Sequence, residues 1–149
     1  MSAEVLVFAC NWDGWSCIET ATELGLNYPA SVKIVRVSCL SRVHAGLILK
    51  AFEFGADGVM LLGCEPGRCH FGTDSEHIVR EYEKTSTILE MLGIRKERLA
   101  LVPQPAFDGP GFVRQVTELM ARITRMPTSR GGRVAVPSSV LDIEVQSLT

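Results

Sequence analysis

Four short apolar runs, each followed by a segment of helical spacing, constrain this chain more than any other feature. The runs are Glu4–Ala9, Val32–Val37, Gly58–Leu62 and Leu99–Val102. The first is nearly continuous in apolar residues, as strands covered on both faces are, and Val32–Val37 is β-branched. Between them the apolar period changes to that of a helix. Trp15, Ile18, Ala21 and Leu24 share one face of the first segment, which Gly25 stops. Ser41 is placed to cap a second helix, where Leu47, Ile48, Ala51 and Phe52 line a face and Gly55 ends the element. Thr73 or Asp74 caps a third, which runs to about Met91. Phe112 to Ile123 forms the last. Alternating strands and helices predict an α/β fold, a mostly parallel four-stranded sheet with flanking helices. Right-handed crossovers favour a flavodoxin-like order, with the first strand between the second and third.

The chain has 149 residues and 46% hydrophobic content, enough for one domain with a real core. Its 15 basic and 17 acidic residues give a net charge of -2 and form no basic stripe, which argues against nucleic acid as a partner. The start, MSAEVLVFAC, lacks a positive n-region, and its apolar run is too short for a signal or a membrane span. A cytoplasmic location is therefore expected. From Thr124 the character changes. Residues 1–125 read as the domain and 126–149 as an extended tail, with Pro127, Gly131, Gly132 and Pro137. The tail's alternating Leu141, Ile143 and Val145 suit ordering on a partner, and plain disorder is the competing reading.

Thiols stand where the strands end. Cys10 follows the first run, Cys39 the second and Cys64 the third. Cys69 lies five positions after Cys64, in Gly63–Cys64–Glu65–Pro66–Gly67–Arg68–Cys69–His70, where Pro66 and Gly67 force a turn. Parallel strands end along one edge, and open α/β sheets bind ligands there. At about 4.8 Å between neighbours, three adjacent strand ends lie within about 10 Å. The odd count of five cysteines, with Cys17 the fifth, speaks against a disulfide framework. One free cysteine is most often just a buried hydrophobe, but four on one edge need another explanation. C-x4-C is half of one ferredoxin spacing, whereas zinc pairs usually read C-x2-C, which is absent here.

These residues carry a resemblance. Cys10–Asn11–Trp12, then Cys39 with Ser41–Arg42–Val43, then Gly55–Ala56–Asp57–Gly58–Val59, then Gly63–Cys64–x–Pro66–Gly67–x–Cys69–His70 occur in order. In this the chain resembles the delta subunit of methyl-viologen-reducing hydrogenase, from about Val5 to about Ile123. The resemblance implies a [2Fe-2S] cluster held by Cys10, Cys39, Cys64 and Cys69. It also implies electron relay between a hydrogenase or formate dehydrogenase module and a flavin-bearing subunit of heterodisulfide reductase type. The family usually reads Cys-Asn-Trp-Cys, and here Asp13 replaces the second cysteine. Asp13 is then neutral, an oxygen ligand, or a mark of an altered or lost cluster. Cys17 reads as a helix residue rather than a ligand. His70 reads as a donor to a cluster sulfur; as an iron ligand it would want a second histidine.

No Ser-His-Asp set or paired-carboxylate pattern is evident, so the expectation is a non-catalytic electron-transfer subunit of an oxidoreductase complex. Trp12, Trp15 and Phe71 are expected to be exposed near the thiols. Two rivals stand beside the relay: a thiol-redox protein cycling Cys64 and Cys69, and a cluster-free structural adaptor.

Overall fold

A computed structural model describes residues 3–72 and 75–127. Four strands, β1 (Val5–Cys10), β2 (Val32–Val37), β3 (Gly58–Gly63) and β4 (Leu99–Pro103), form one sheet in the order β2-β1-β3-β4. Every pairing is parallel. The register sets Cys10 beside Val37 and Ala9 beside Leu62, so the strands end together on one carboxyl edge. The central strands β1 and β3 are buried throughout, whereas β2 at the margin exposes Lys33 and Arg36. The α/β architecture and the expected strand order hold.

Strand side chains alternate between the faces, and each face has its own helices. Val5, Val7, Ala9, Met60 and Leu62 meet α1 (Asp13–Glu23) and α4 (Gly109–Thr124) through Ile18, Ala21, Phe112 and Val116. Leu6, Phe8, Cys10, Val59 and Leu61 meet α2 (Ala45–Glu53) and α3 (Ser75–Met91) through Leu47, Ile48 and Leu89. Burying a side chain such as Phe8, Ile48 or Phe112, each at most 1% exposed, stabilises the fold by roughly 1.5–3 kcal/mol.

Three helix starts differ from expectation. Helix α1 begins at Asp13, two residues before Trp15, and this brings its free amides to the carboxyl edge. Ser41 does not cap α2. Residues Leu40–Arg42 form a 3₁₀ turn, and His44 caps the helix instead, its Nδ1 accepting from the Leu47 amide at 3.2 Å. Helix α4 begins three residues before Phe112. Asp108 Oδ1 accepts from the Gly111 amide at 2.9 Å, and Pro110 suits the first turn because it needs no donor there. A Cβ on Gly109 would sit 2.6 Å from the Ala21 nitrogen, so glycine is what lets α4 cross α1 so closely. The expected cap at Thr73 or Asp74 and the tail beyond residue 127 lie outside the described residues. Among the described residues no helix is long and apolar enough to cross a membrane.

Candidate functional site: two thiol pairs on the carboxyl edge

The sheet delivers Cys10 as the last residue of β1 and Cys64 as the first residue after β3. Their sulfurs stand 3.8 Å apart. Cys39 follows β2 by two residues, and its sulfur stands 3.7 Å from that of Cys69. Cys69 reaches it through a tight turn in which the Arg68 amide donates to Glu65 O at 3.0 Å and Gly67 takes φ 78°. That backbone angle is one glycine adopts at no steric cost. All four cysteines line one hollow, closed below by Leu40 and on the α3 side by Ser75 and Ile78. Both separations far exceed the roughly 2.05 Å of a disulfide, so neither pair is disulfide-bonded. Cys64 and Cys69, neighbours in sequence, are divided between the two contacts.

The first turn of α1 aims at one of these pairs. The Gly14 amide donates to Cys10 Sγ at 3.1 Å, and the Asp13 backbone amide works to lower the pKa of the Cys64 thiol. The opening amides of a helix have no partner within it, and the helix dipole makes them favour electron-rich groups. Burial, and next the neighbouring charge of Cys10, push the Cys64 thiol up to about 12. In the bare chain Cys64 therefore keeps its proton at neutral pH.

The other sequence candidates lie elsewhere or play other parts. Cys17 is fully buried on the α4 face and donates to the Pro105 carbonyl at 3.2 Å. Strand alternation puts Cys10 on the opposite face, so Cys17 is not brought to the four thiols. Asp13 contributes its amide and stands in the first turn of α1. The His70 ring stacks on Trp12, with centroids 3.5 Å apart and planes at 15°. Trp12 and Phe71 are exposed, as expected, but Trp15 is half-buried. Arg36 lies over the Trp15 ring at 4.4 Å, and the indole donates to Glu19 Oε1 at 2.8 Å. Arg36 is held in turn by the Asn11 side chain. Sequence reasoning misses the helix amides at the sulfurs and the Trp12–His70 stack. An earlier start for α1 is the signal that points to the former.

The donor set fits tetrahedral metal ions taken two thiolates at a time. With metal–sulfur bonds of about 2.3 Å, two thiolates on one tetrahedral ion stand about 3.8 Å apart. Both measured pairs have that spacing. Among the described residues no three such side chains converge on one point, so the sulfurs form two pairs rather than a single four-sulfur cage.

Fold and site together define a class, the α/β domains that present thiol pairs on the carboxyl edge of a parallel sheet. Residues 5–127 match the profile of the family described as methyl-viologen-reducing hydrogenase, delta subunit, and the chain belongs to that family. It is 35% identical over 123 residues to the iron-sulfur subunit of the vhc F420-non-reducing hydrogenase of Methanococcus voltae, covering 83% of this chain and 85% of that one. It is 34% identical to the iron-sulfur subunit of the F420-non-reducing hydrogenase of Archaeoglobus profundus, covering 82% and 89%. It is also 26% identical over 119 residues to a large subunit of the ferredoxin:CoB-CoM heterodisulfide reductase of Methanosarcina mazei. That match covers 80% of this chain but only 15% of the larger protein.

Proposed function

We propose that this protein is an electron-transfer subunit that carries one [2Fe-2S] cluster within a hydrogenase–heterodisulfide reductase type of complex. The observation that carries the reading is the pair of sulfur contacts, 3.8 Å and 3.7 Å, on one sheet edge. Cys10 and Cys64 would hold one iron, and Cys39 and Cys69 the other. Such a cluster, when bound, takes up and gives back one electron at a time. The chain's own residues do the rest. The Gly14 amide donates to the Cys10 sulfur, and the Asp13 amide favours a thiolate at Cys64, so both would ease negative charge on the sulfurs. Leu40 and Ile78 wall the hollow with hydrocarbon and thin the water around it. The edge is built of loops and stays near the surface, which suits relay to a partner rather than chemistry on an enclosed substrate.

The partners follow from the relatives' names. Two are iron-sulfur subunits of F420-non-reducing hydrogenases, and a third relative carries a similar stretch as 15% of its length within a heterodisulfide reductase. A unit that is separate in some proteins and built into a larger one in another is expected to lie against that larger protein. We therefore place the chain between a hydrogenase- or formate-dehydrogenase-like module and a flavin-containing, heterodisulfide-reductase-like subunit, in the cytoplasm. Cys64→Ser in the assembled complex tests this. Coupled electron flow across the complex should stop, while each partner still turns over with its own artificial donor or acceptor. Full coupled activity in a variant shown to lack the cluster would exclude the relay role.

A further inference from the structure

Trp12 and His70 belong to different loops. Trp12 is two residues past Cys10, in the turn after β1, and His70 is next to Cys69, in the loop after β3. Their rings stack with centroids 3.5 Å apart and planes at 15°. Phe71 meets both rings edge-on, at 6.1 Å from Trp12 and 5.0 Å from His70. The group lies at the surface and not in the core, since Trp12 is 40% and Phe71 58% exposed. Within the loop it touches, the Arg68 amide donates to Glu65 O and the Gly72 amide to Cys69 O, both local turns. Gly67 and Gly72 both take positive φ, and each glycine raises the entropy of opened states. Cys10 and Cys69 belong to different thiol pairs, so the stack joins the two halves of the site.

We propose that the Trp12–His70 stack is a latch that closes the Cys64–Cys69 loop over the thiols. The two are positioning residues: they hold both pairs in register and set how often the sulfurs meet solvent. The bound group rests on the function proposed above, but the closure is a property of the bare chain and is tested there. An aromatic pair of this kind is worth about two- to tenfold in the opening equilibrium.

The test is iodoacetamide labelling of the reduced, metal-free full chain, with the rate at each cysteine read from peptide masses. Trp12→Ala and His70→Ala should each speed labelling of Cys64 and Cys69 about two- to tenfold. The double variant should be no faster than the faster single, because either change opens the same latch. Trp12→Phe and His70→Phe should keep rates near that of the parent, since a ring still stacks. Cys17, buried on the other face, is the control and should not change. Unchanged rates in the alanine variants would overturn the latch, as would additive effects or Cys17 accelerating in step. A second arm follows the visible absorption of the anaerobically purified protein under a chelator, where the alanine variants should bleach faster. Chain that is colourless when purified would sink the proposed cofactor and leave the labelling result to decide the latch alone.

Discussion

The Cys10 and Cys64 sulfurs are 3.8 Å apart although 54 positions separate them in the chain. Adjacent parallel strands end there, and each contributes one thiol. Cys39, two residues past β2, meets Cys69 from the loop after β3. The pairing predicts how serine variants group. Cys10→Ser and Cys64→Ser should give similar changes in the electron paramagnetic resonance of the reduced protein, since both would alter the same iron of the proposed cluster. Cys39→Ser and Cys69→Ser should form a second group. Spectra that group Cys64 with Cys69 would contradict the pairing.

Gly14 is a tight point beneath the site. A Cβ there would lie 2.6 Å from the Leu62 carbonyl oxygen and 3.2 Å from Cys10 Sγ. Alanine in a helix gains about 1 kcal/mol over glycine, but forcing an atom against backbone costs about 1–3 kcal/mol. The clash should win, because a carbonyl in the middle of a parallel sheet cannot swing aside. Gly14→Ala is expected to lower stability by roughly 1 kcal/mol net in chemical denaturation. Unchanged or higher stability would show that the helix start can shift.

Cys17 should prove structural. Its thiol donates to Pro105 O at 3.2 Å, a role a serine hydroxyl can take. Cys17→Ser should therefore leave the visible spectrum as it was. Burial raises this thiol above its usual 9.0, so the folded chain keeps a proton that the unfolded chain releases above about pH 9. Stability contributed by the group is full below that pH and falls as pH rises. Cys17→Ala should flatten the alkaline fall in measured unfolding free energy. A fall as steep as the parent's would refute this assignment.

At the opposite edge Arg98 is 2% exposed. Its guanidinium donates to Asp57 O at 2.9 Å and to Pro127 O at 2.6 Å, which ties β3's start to the end of α4. Burial lowers its affinity for its proton, and the Asp57 charge pulls it back up. Arg98→Met should cost roughly 2–4 kcal/mol, through two charge-assisted hydrogen bonds and the buried carbonyl left unpaired. The labelling rate of Cys64 should not change, because the site lies at the other edge. A faster rate would mean that the two edges are coupled.

The strands are legible in the sequence because β1, β3 and β4 are mostly apolar and β2 is β-branched, and all four begin within one residue of the runs read. Helix starts are harder to read. Ser41 is the better cap by chemistry, but the 3₁₀ turn at Leu40–Arg42 uses it, and the cap falls to His44. Apolar spacing starts the last helix at Phe112, and only the close crossing at Ala21 explains why Gly109 belongs in it. The gathering of the thiols follows from strand ends alone. Which sulfur meets which does not, because the turn at Gly67 decides where Cys69 lands, and spacing in sequence suggests Cys64 as its partner. The Trp12–His70 stack joins two loops and leaves no periodic trace.

Iron and acid-labile sulfide measured on the anaerobically purified full chain, beside its visible absorption, tests the central claim most directly. The two thiol pairs predict about two irons and two sulfides per chain, as one [2Fe-2S] cluster requires, and a coloured protein that bleaches on reduction. A colourless chain without iron, or one holding about one zinc and no sulfide, would contradict it.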